Sequence, residues 1–344
     1  MCARHRQAYA GVFGQTLIRG KAAPGPAAVP RSPGWPRYAD RPMKLHAEPK
    51  PLTEPLPGGE QGTTVTVEPL LGGELDSPRA LFERPGGHLE TLKVLGIGTP
   101  RSRWWTVPCP AFLIRHPDAG PVLVDTGLHP SVAAKPRENM GRMWARYGRP
   151  RIEPGRDVPA QLRERGIEAR DVPLVVMTHL HQDHASGMSE FPNSTFVIAA
   201  AEWHAATTDP RPLLRGYRPA HYDYLFDYRT LSYEGPDISS YSTFGRTFDL
   251  FGDGCVRLAF TPGHSAGHQS VIARLRDRDF VIAGDAIYTH GQLGDAPEPP
   301  RPLDRHTWRR SRQELALFHR SYPQAVIVPG HDPEHWRTLD TKYE

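Results

Sequence analysis

Thr178-His179-Leu180-His181-Gln182-Asp183-His184 sets three imidazoles and a carboxylate in six consecutive residues. These are the side chains that borderline transition metals such as zinc prefer. The preceding run, residues 172–177, is short, apolar and rich in valine, so it reads as a buried strand. The motif therefore falls in the loop just past a strand end, where a rigid sheet can hold functional groups. Alternation in an extended segment puts His179 and His181 on one side. Asp183 and His184 follow once the chain has begun to turn and can point elsewhere, which suits two metals better than one. The competing reading is a polar loop whose histidines cluster by chance, and it is tested by whether the chain supplies further ligands.

Three later apolar runs do so. Val256-Arg257-Leu258-Ala259-Phe260-Thr261 leads into Pro262-Gly263-His264, Phe280-Val281-Ile282-Ala283 into Gly284-Asp285, and Ala325-Val326-Ile327-Val328 into Pro329-Gly330-His331. Each puts glycine before the ligand, where the backbone must turn sharply. The candidate set is His179, His181, Asp183, His184, His264, Asp285 and His331, more than one tetrahedral site uses. Asp125, at the end of another run and followed by Thr126-Gly127, reads either as turn chemistry or as a partner orienting a metal-bound histidine. His268, four residues after His264, reads as structural, and His116, His129, His204, His221, His290, His306, His319 and His335 as ordinary.

The chain of 344 residues is 38% hydrophobic and 23% charged, as in globular proteins, and no run approaches the ~18 apolar residues of a membrane span. Cys2, Cys109 and Cys255 are too few and too scattered for a disulfide framework or a thiolate zinc motif, which suits a reducing cytoplasm. Residues 1–42 hold seven basic side chains and one acid, a charge of +6, so the rest of the chain carries −2 of the total of +4. The folded part is near neutral, which argues against nucleic-acid binding and processing. Residues 1–60 contain ten prolines and read as a disordered extension. A targeting peptide, or a natural start at Met43, are the other readings.

From residue 63 the texture is that of one domain running to 344. Strands are expected at 64–67 and 89–95, and a hairpin joins 111–114 to 122–124 across His116-Pro117-Asp118-Ala119-Gly120. Helices are expected at 131–148, 158–166, 200–207 and 307–320, with a strand at 195–199. Residues 208–246 mix eight Tyr and Phe with Pro and Arg. They read as an aromatic-rich insertion, either a small subdomain or a wall for an apolar substrate.

The motif His-x-His-x-Asp-His with a later His, Asp and His resembles the metallo-β-lactamase superfamily over residues 63–340. Thr261-Pro262-Gly263-His264-Ser265-Ala266-Gly267-His268-Gln269-Ser270, Asp285-Ala286-Ile287-Tyr288 and Gly330-His331-Asp332 are most similar to its N-acyl-homoserine lactonases, the quorum-quenching branch. The resemblance implies an αββα four-layer sandwich with the metals at one edge. It implies two divalent ions, expected to be zinc: one on His179, His181 and His264, one on Asp183, His184 and His331, with Asp285 between them. It further implies that Tyr288 donates to the substrate carbonyl and that Asp183, or else Asp285, passes a proton to the leaving group. The substrate class is then a lactone. A thioester, aryl-ester or phosphotriester hydrolase of the same fold is the alternative, and a nucleic-acid-processing member a weaker one. Gln182 departs from the pattern, since lactonases often carry an aromatic there.

Overall fold

The computed structural model describes residues 45–344, which form two sheets. The first contains β1 (Lys50–Leu52), β2 (Thr66–Pro78), β3 (Trp104–His116), β4 (Gly120–Val124), β5 (Pro150–Arg151), β6 (Leu174–Val176), β7 (Thr195–Ala199) and β8 (Asp227–Leu231), in the spatial order β1-β8-β7-β6-β4-β3-β2-β5. The second contains β9 (Ile238–Tyr241), β10 (Phe244–Asp249), β11 (Val256–Phe260), β12 (Gln269–Arg274), β13 (Asp279–Gly284) and β14 (Val326–Pro329), in the order β14-β13-β12-β11-β10-β9. Helices are α1 (Glu90–Val94), α2 (Pro136–Tyr147), α3 (Val158–Glu164), α4 (Gln182–Ala185), α5 (Ala200–Thr208), α6 (Arg305–Ser321) and α7 (Pro333–Trp336).

Strand alternation builds the layers. Val122 and Val124 join a cluster with Phe112, Ile114, Val176 and Val197 of their own sheet and Leu258, Val271, Phe280 and Ile282 of the other, so this core lies between the sheets. Leu123, between those valines, belongs instead to a cluster with Val175, Phe196 and Ile198 that packs on Leu162 of α3 and Trp203 and Ala206 of α5. On the far side, Ile272, Val281 and Ile327 pack against Leu315 and Phe318 of α6. The result is helix, sheet, sheet, helix: the expected four-layer sandwich.

The same topology decides where functional groups gather. β4 and β6 are parallel neighbours, and β13 and β14 likewise. β12 runs antiparallel to both β11 and β13, so β11, β13 and β14 share one direction. The segments that follow β4, β6, β11, β13 and β14 carry Asp125, the histidine motif, His264, Asp285 and His331.

Three expectations are corrected. Residues 89–95 hold helix α1 rather than a strand: Leu89, Leu92 and Leu95 recur at a helical spacing of three, and Leu89 enters with φ 66°. Within the proline-rich stretch, disorder does not extend to residue 60. Lys50–Leu52 pairs in parallel with β8, Leu56 N–H donates to Leu250 O (2.8 Å), and Gly59 N–H to Asp253 Oδ2 (2.9 Å). An edge strand tolerates Pro51, which lacks a ladder donor. The rest of that expectation, including Met43, lies outside the described residues. Residues 208–246 are not a small subdomain of their own, since β8 belongs to the first sheet and β9 to the second. Their aromatics are mainly core: Tyr222 and Tyr228 are fully buried, and their hydroxyls donate to Ala206 O and Tyr222 O.

Candidate metal centre

Strand β6 ends at Val176, and the next residues fan out around Asp125. Asp125 Oδ1 accepts from Thr178 N–H (2.7 Å), while Oδ2 accepts from Thr178 Oγ1–H (2.7 Å) and His184 Nδ1–H (2.8 Å). Asp125 thus fixes the orientation of the His184 ring. The single turn α4 carries Asp183 and His184 away from the side that holds His179 and His181. Gln182 points from that turn into α2, its amide N–H toward Met140 O (3.0 Å) and its oxygen toward Trp144 Nε1–H (2.7 Å). A buried polar clamp thus fills the place where an aromatic was expected.

All seven candidate ligands converge, in two groups: His179, His181, His264 and Asp285, and Asp183, His184 and His331. In the first, His264 Nε2 lies 3.1 Å from His179 Nε2, 2.8 Å from His181 Nδ1 and 3.2 Å from Asp285 Oδ2. In the second, His331 Nε2 lies 3.3 Å from Asp183 Oδ2, and His184 Nε2 3.8 Å from the same oxygen. Asp285 Oδ1 reaches this group too, at 3.3 Å from His331 Nε2 and 3.5 Å from His184 Nε2. One carboxylate therefore offers one oxygen to each group.

This donor set fits metal ions. Ligand atoms on a tetrahedral ion with bonds near 2.05 Å stand about 3.3 Å apart, close to the spacings seen. The second ring nitrogen is already engaged in four of the five histidines: His179 with Thr178 Oγ1 (3.0 Å), His184 with Asp125, His264 with the Tyr288 hydroxyl (2.9 Å) and His331 with Pro108 O (2.8 Å). Such partners fix the tautomer so that the inward nitrogen presents a lone pair. Burial, and then the neighbouring imidazoles, hold His179 well below the ordinary histidine range; burial does the same to His264, against the pull of Asp285. Neutral rings at these spacings turn lone pairs toward one another, which a shared cation resolves. His184 Nε2 and Asp285 Oδ1 are buried without a hydrogen-bond partner, as ligand atoms awaiting an ion would be.

Two further shifts matter for the chemistry. Burial pushes Asp183 up, but His184 and His331 outweigh it and hold the carboxyl at about 2. Burial, and then the charges of Asp285 and Asp183, push the Tyr288 hydroxyl well above the ordinary phenol range, so it stays protonated.

Residues 104–331 match the metallo-beta-lactamase superfamily. The chain belongs to that superfamily. Among its relatives, N-acyl homoserine lactonase AttM of Agrobacterium fabrum is 31% identical over 234 residues, 67% of this chain and 84% of that one. The AttM of Azorhizobium caulinodans is 32% identical over 236 residues, with the same shares. A solved structure of an N-acyl homoserine lactone hydrolase, with the product N-hexanoyl-L-homoserine at its catalytic metal center, covers 82% of this chain and 100% of its own. Its TM-score is 0.63 at 21% identity, a likeness of fold.

The histidines read as structural or ordinary have other tasks. His268 Nε2 accepts from Asp285 N–H (2.9 Å) and so shapes the Asp285 turn. His116 groups with Asp253 and Cys255 but is no ligand: Nδ1 accepts from Asp118 and Ala119 N–H, and Nε2–H donates to Asp253 (2.8 Å), leaving no lone pair. Sequence reasoning missed Glu202, whose only signal is an acid in the first turn of a short helix, and Phe82, which stacks edge-on against Tyr288 at 5.4 Å. From the aromatic stretch 208–246 it is Tyr217 that reaches the centre, its ring 5.1 Å from His181. Two surface hollows, of about 380 and 360 Å³, flank Glu298 and Arg309, and none of their lining residues belongs to the centre. The centre meets solvent where His181, His264 and Tyr288 are half-buried.

Proposed function

We propose that this chain is a dinuclear metal hydrolase that opens lactone rings, N-acyl-homoserine lactones foremost, with zinc as the metal. His179, His181 and His264 would hold one ion, Asp183, His184 and His331 the other, and Asp285 would bridge them. The observation that carries this reading is Asp285, with one oxygen turned to each of two ligand groups beside the Tyr288 hydroxyl. The naming of relatives at 31–32% identity as N-acyl homoserine lactonases supports the substrate class.

When bound, the ions supply Lewis acidity and make water nucleophilic at neutral pH. The protein residues supply the rest. His264, with Nε2 committed inward, donates its Nδ1–H to the Tyr288 oxygen. The Tyr288 hydroxyl proton is then free to be donated to the lactone carbonyl oxygen as negative charge develops there. Water adds to the carbonyl carbon, the ring C–O bond breaks, and the leaving oxygen needs a proton. Asp183, ionised and itself part of the second group, takes the proton released by the water and passes it to that oxygen.

The test is a hydrolysis panel of lactones with tails of different length, run beside thioesters, aryl esters and phosphotriesters and read by acid release. Lactones should be turned over fastest, and faster thioester or phosphotriester cleavage would overturn the reading. Tyr288→Phe should lower turnover while both ions stay bound. Loss of one oxyanion donor costs on the order of 10²–10³, and the effect here should be smaller because the ions share the charge. Unchanged turnover would remove the role given to that hydroxyl.

A further inference from the structure

Glu202 is fully buried in the first turn of α5, and the helix N-terminus has no side-chain cap. An acid there is ordinarily explained by the helix N-terminus. Among the described residues its three hydrogen bonds leave the helix, and the Tyr217 hydroxyl also faces it. Oε1 accepts from Leu180 N–H (3.0 Å), the residue between His179 and His181; Oε2 accepts from Ser265 Oγ–H (2.7 Å) and Gly267 N–H (2.9 Å), in the loop that begins with His264. The approach is close enough to require glycine, since a Cβ on Gly267 would collide with the backbone nitrogen of Glu202. A single carboxylate therefore ties together the two segments that carry His179, His181 and His264. It makes no hydrogen bond to Asp183, His184 or His331.

We propose that Glu202 is a positioning residue for one of the two metal sites, fixing the distance between the His179–His181 segment and the His264 loop. The inference rests on the reading of these histidines as ligands. Loss of a group that orients ligands from the outer shell typically costs roughly 10–100-fold in metal affinity, and here the loss should fall on one ion.

The experiment uses the full chain loaded with cobalt(II), in wild-type and Glu202→Gln forms. Gln keeps the length of the side chain but turns an NH2 toward donors. Metal release against a chelator is followed by elemental analysis and by the visible cobalt bands. The band of the three-histidine site is assigned as the one lost in His264→Ala. Glu202→Gln should release that ion at roughly 10–100-fold lower chelator and shift its band, while the other ion is held as in wild type. Equal weakening of both ions would show a merely structural role, and unchanged release would leave Glu202 none; either overturns the proposal. If Glu202→Gln does not fold, Ser265→Ala removes one of the three bonds and should weaken the same ion by a smaller factor, with no change overturning the proposal. Wild-type protein that takes up fewer than two ions would sink the metal-centre reading itself, an outcome distinct from failure of the variant.

Discussion

Asp125→Asn isolates the tautomer of His184 from everything else in the site. Asp125 sits at φ 56°, a conformation that asparagine adopts as readily as aspartate, so the exchange adds no backbone cost. Asparagine keeps one oxygen for three donors. With that oxygen at the outer position, the NH2 would face Thr178 N–H, and two donors would oppose each other at 2.7 Å. With it at Thr178 N–H, the NH2 faces Thr178 Oγ1 and His184 Nδ1, and both can switch to accepting. The second arrangement wins, and it moves the imidazole proton to Nε2, the atom that should take the metal. The ion on Asp183, His184 and His331 should then lose roughly 10–100-fold in affinity, about 1.4–2.8 kcal/mol, while the His179, His181 and His264 ion is unmoved. Alanine would not serve, because it leaves three buried donors unpaired at about 1–3 kcal/mol each, a large part of an ordinary domain's stability. The assay is stepwise release against a chelator, with metal content measured after each step. Two ions held as tightly as in wild type would refute the tautomer argument, and equal loosening of both would show that the loop, not the proton, had moved.

Gly330→Ala should disturb both ions at once, because a Cβ there would collide with Asp285 Oδ1, the oxygen turned to the second group; two ions held normally would show that the Asp285 turn yields. In the metal-free protein His331 is raised from 6.5 to about 10, since the charges of Asp285 and Asp183 outweigh its burial. Its proton therefore stabilises the fold fully below about pH 6.5, and that contribution is lost as pH rises through about 10. The thermal midpoint of the stripped protein should fall across that window, and that of the loaded protein should not; a flat profile in both would contradict the assignment. Loading at pH 7 should release the protons held by His184 and His331, measurable by calorimetry in buffers of different ionisation enthalpy, and uptake without proton release would count against His184 and His331 as ligands.

The candidate ligands were legible because each is written locally: a short apolar run, followed either by the histidine motif at 179–184 or by a glycine and then His or Asp. The two sheets and four layers came from the resemblance those motifs carry rather than from the runs themselves, since Val122-Leu123-Val124 is apolar on both faces and does not say which neighbour covers each. Glu202 was not legible because its meaning lies in hydrogen bonds to Leu180 and Gly267, which no local pattern encodes. The aromatics of 208–246 misled for a related reason. A tyrosine in a strand and a tyrosine on a pocket wall look alike in sequence, and only pairing with β7 shows that Tyr228 belongs to the sheet. Residues 50–52 were masked by proline content, which reports local stiffness but not the neighbouring edge at β8.

The proposed ligands come from both sheets: His179, His181, Asp183 and His184 follow a strand of the first, and His264, Asp285 and His331 follow strands of the second. An ion bound by residues of both would act as a rivet through the seam between them. Any ligand that binds only the folded state adds RT ln(1 + [L]/Kd), about 2.7 kcal/mol at a hundredfold excess over Kd. Metal supply then becomes a determinant of how much core damage the fold survives. A substitution between the sheets that is silent in metal-replete cells should unfold the same protein when the ions run short.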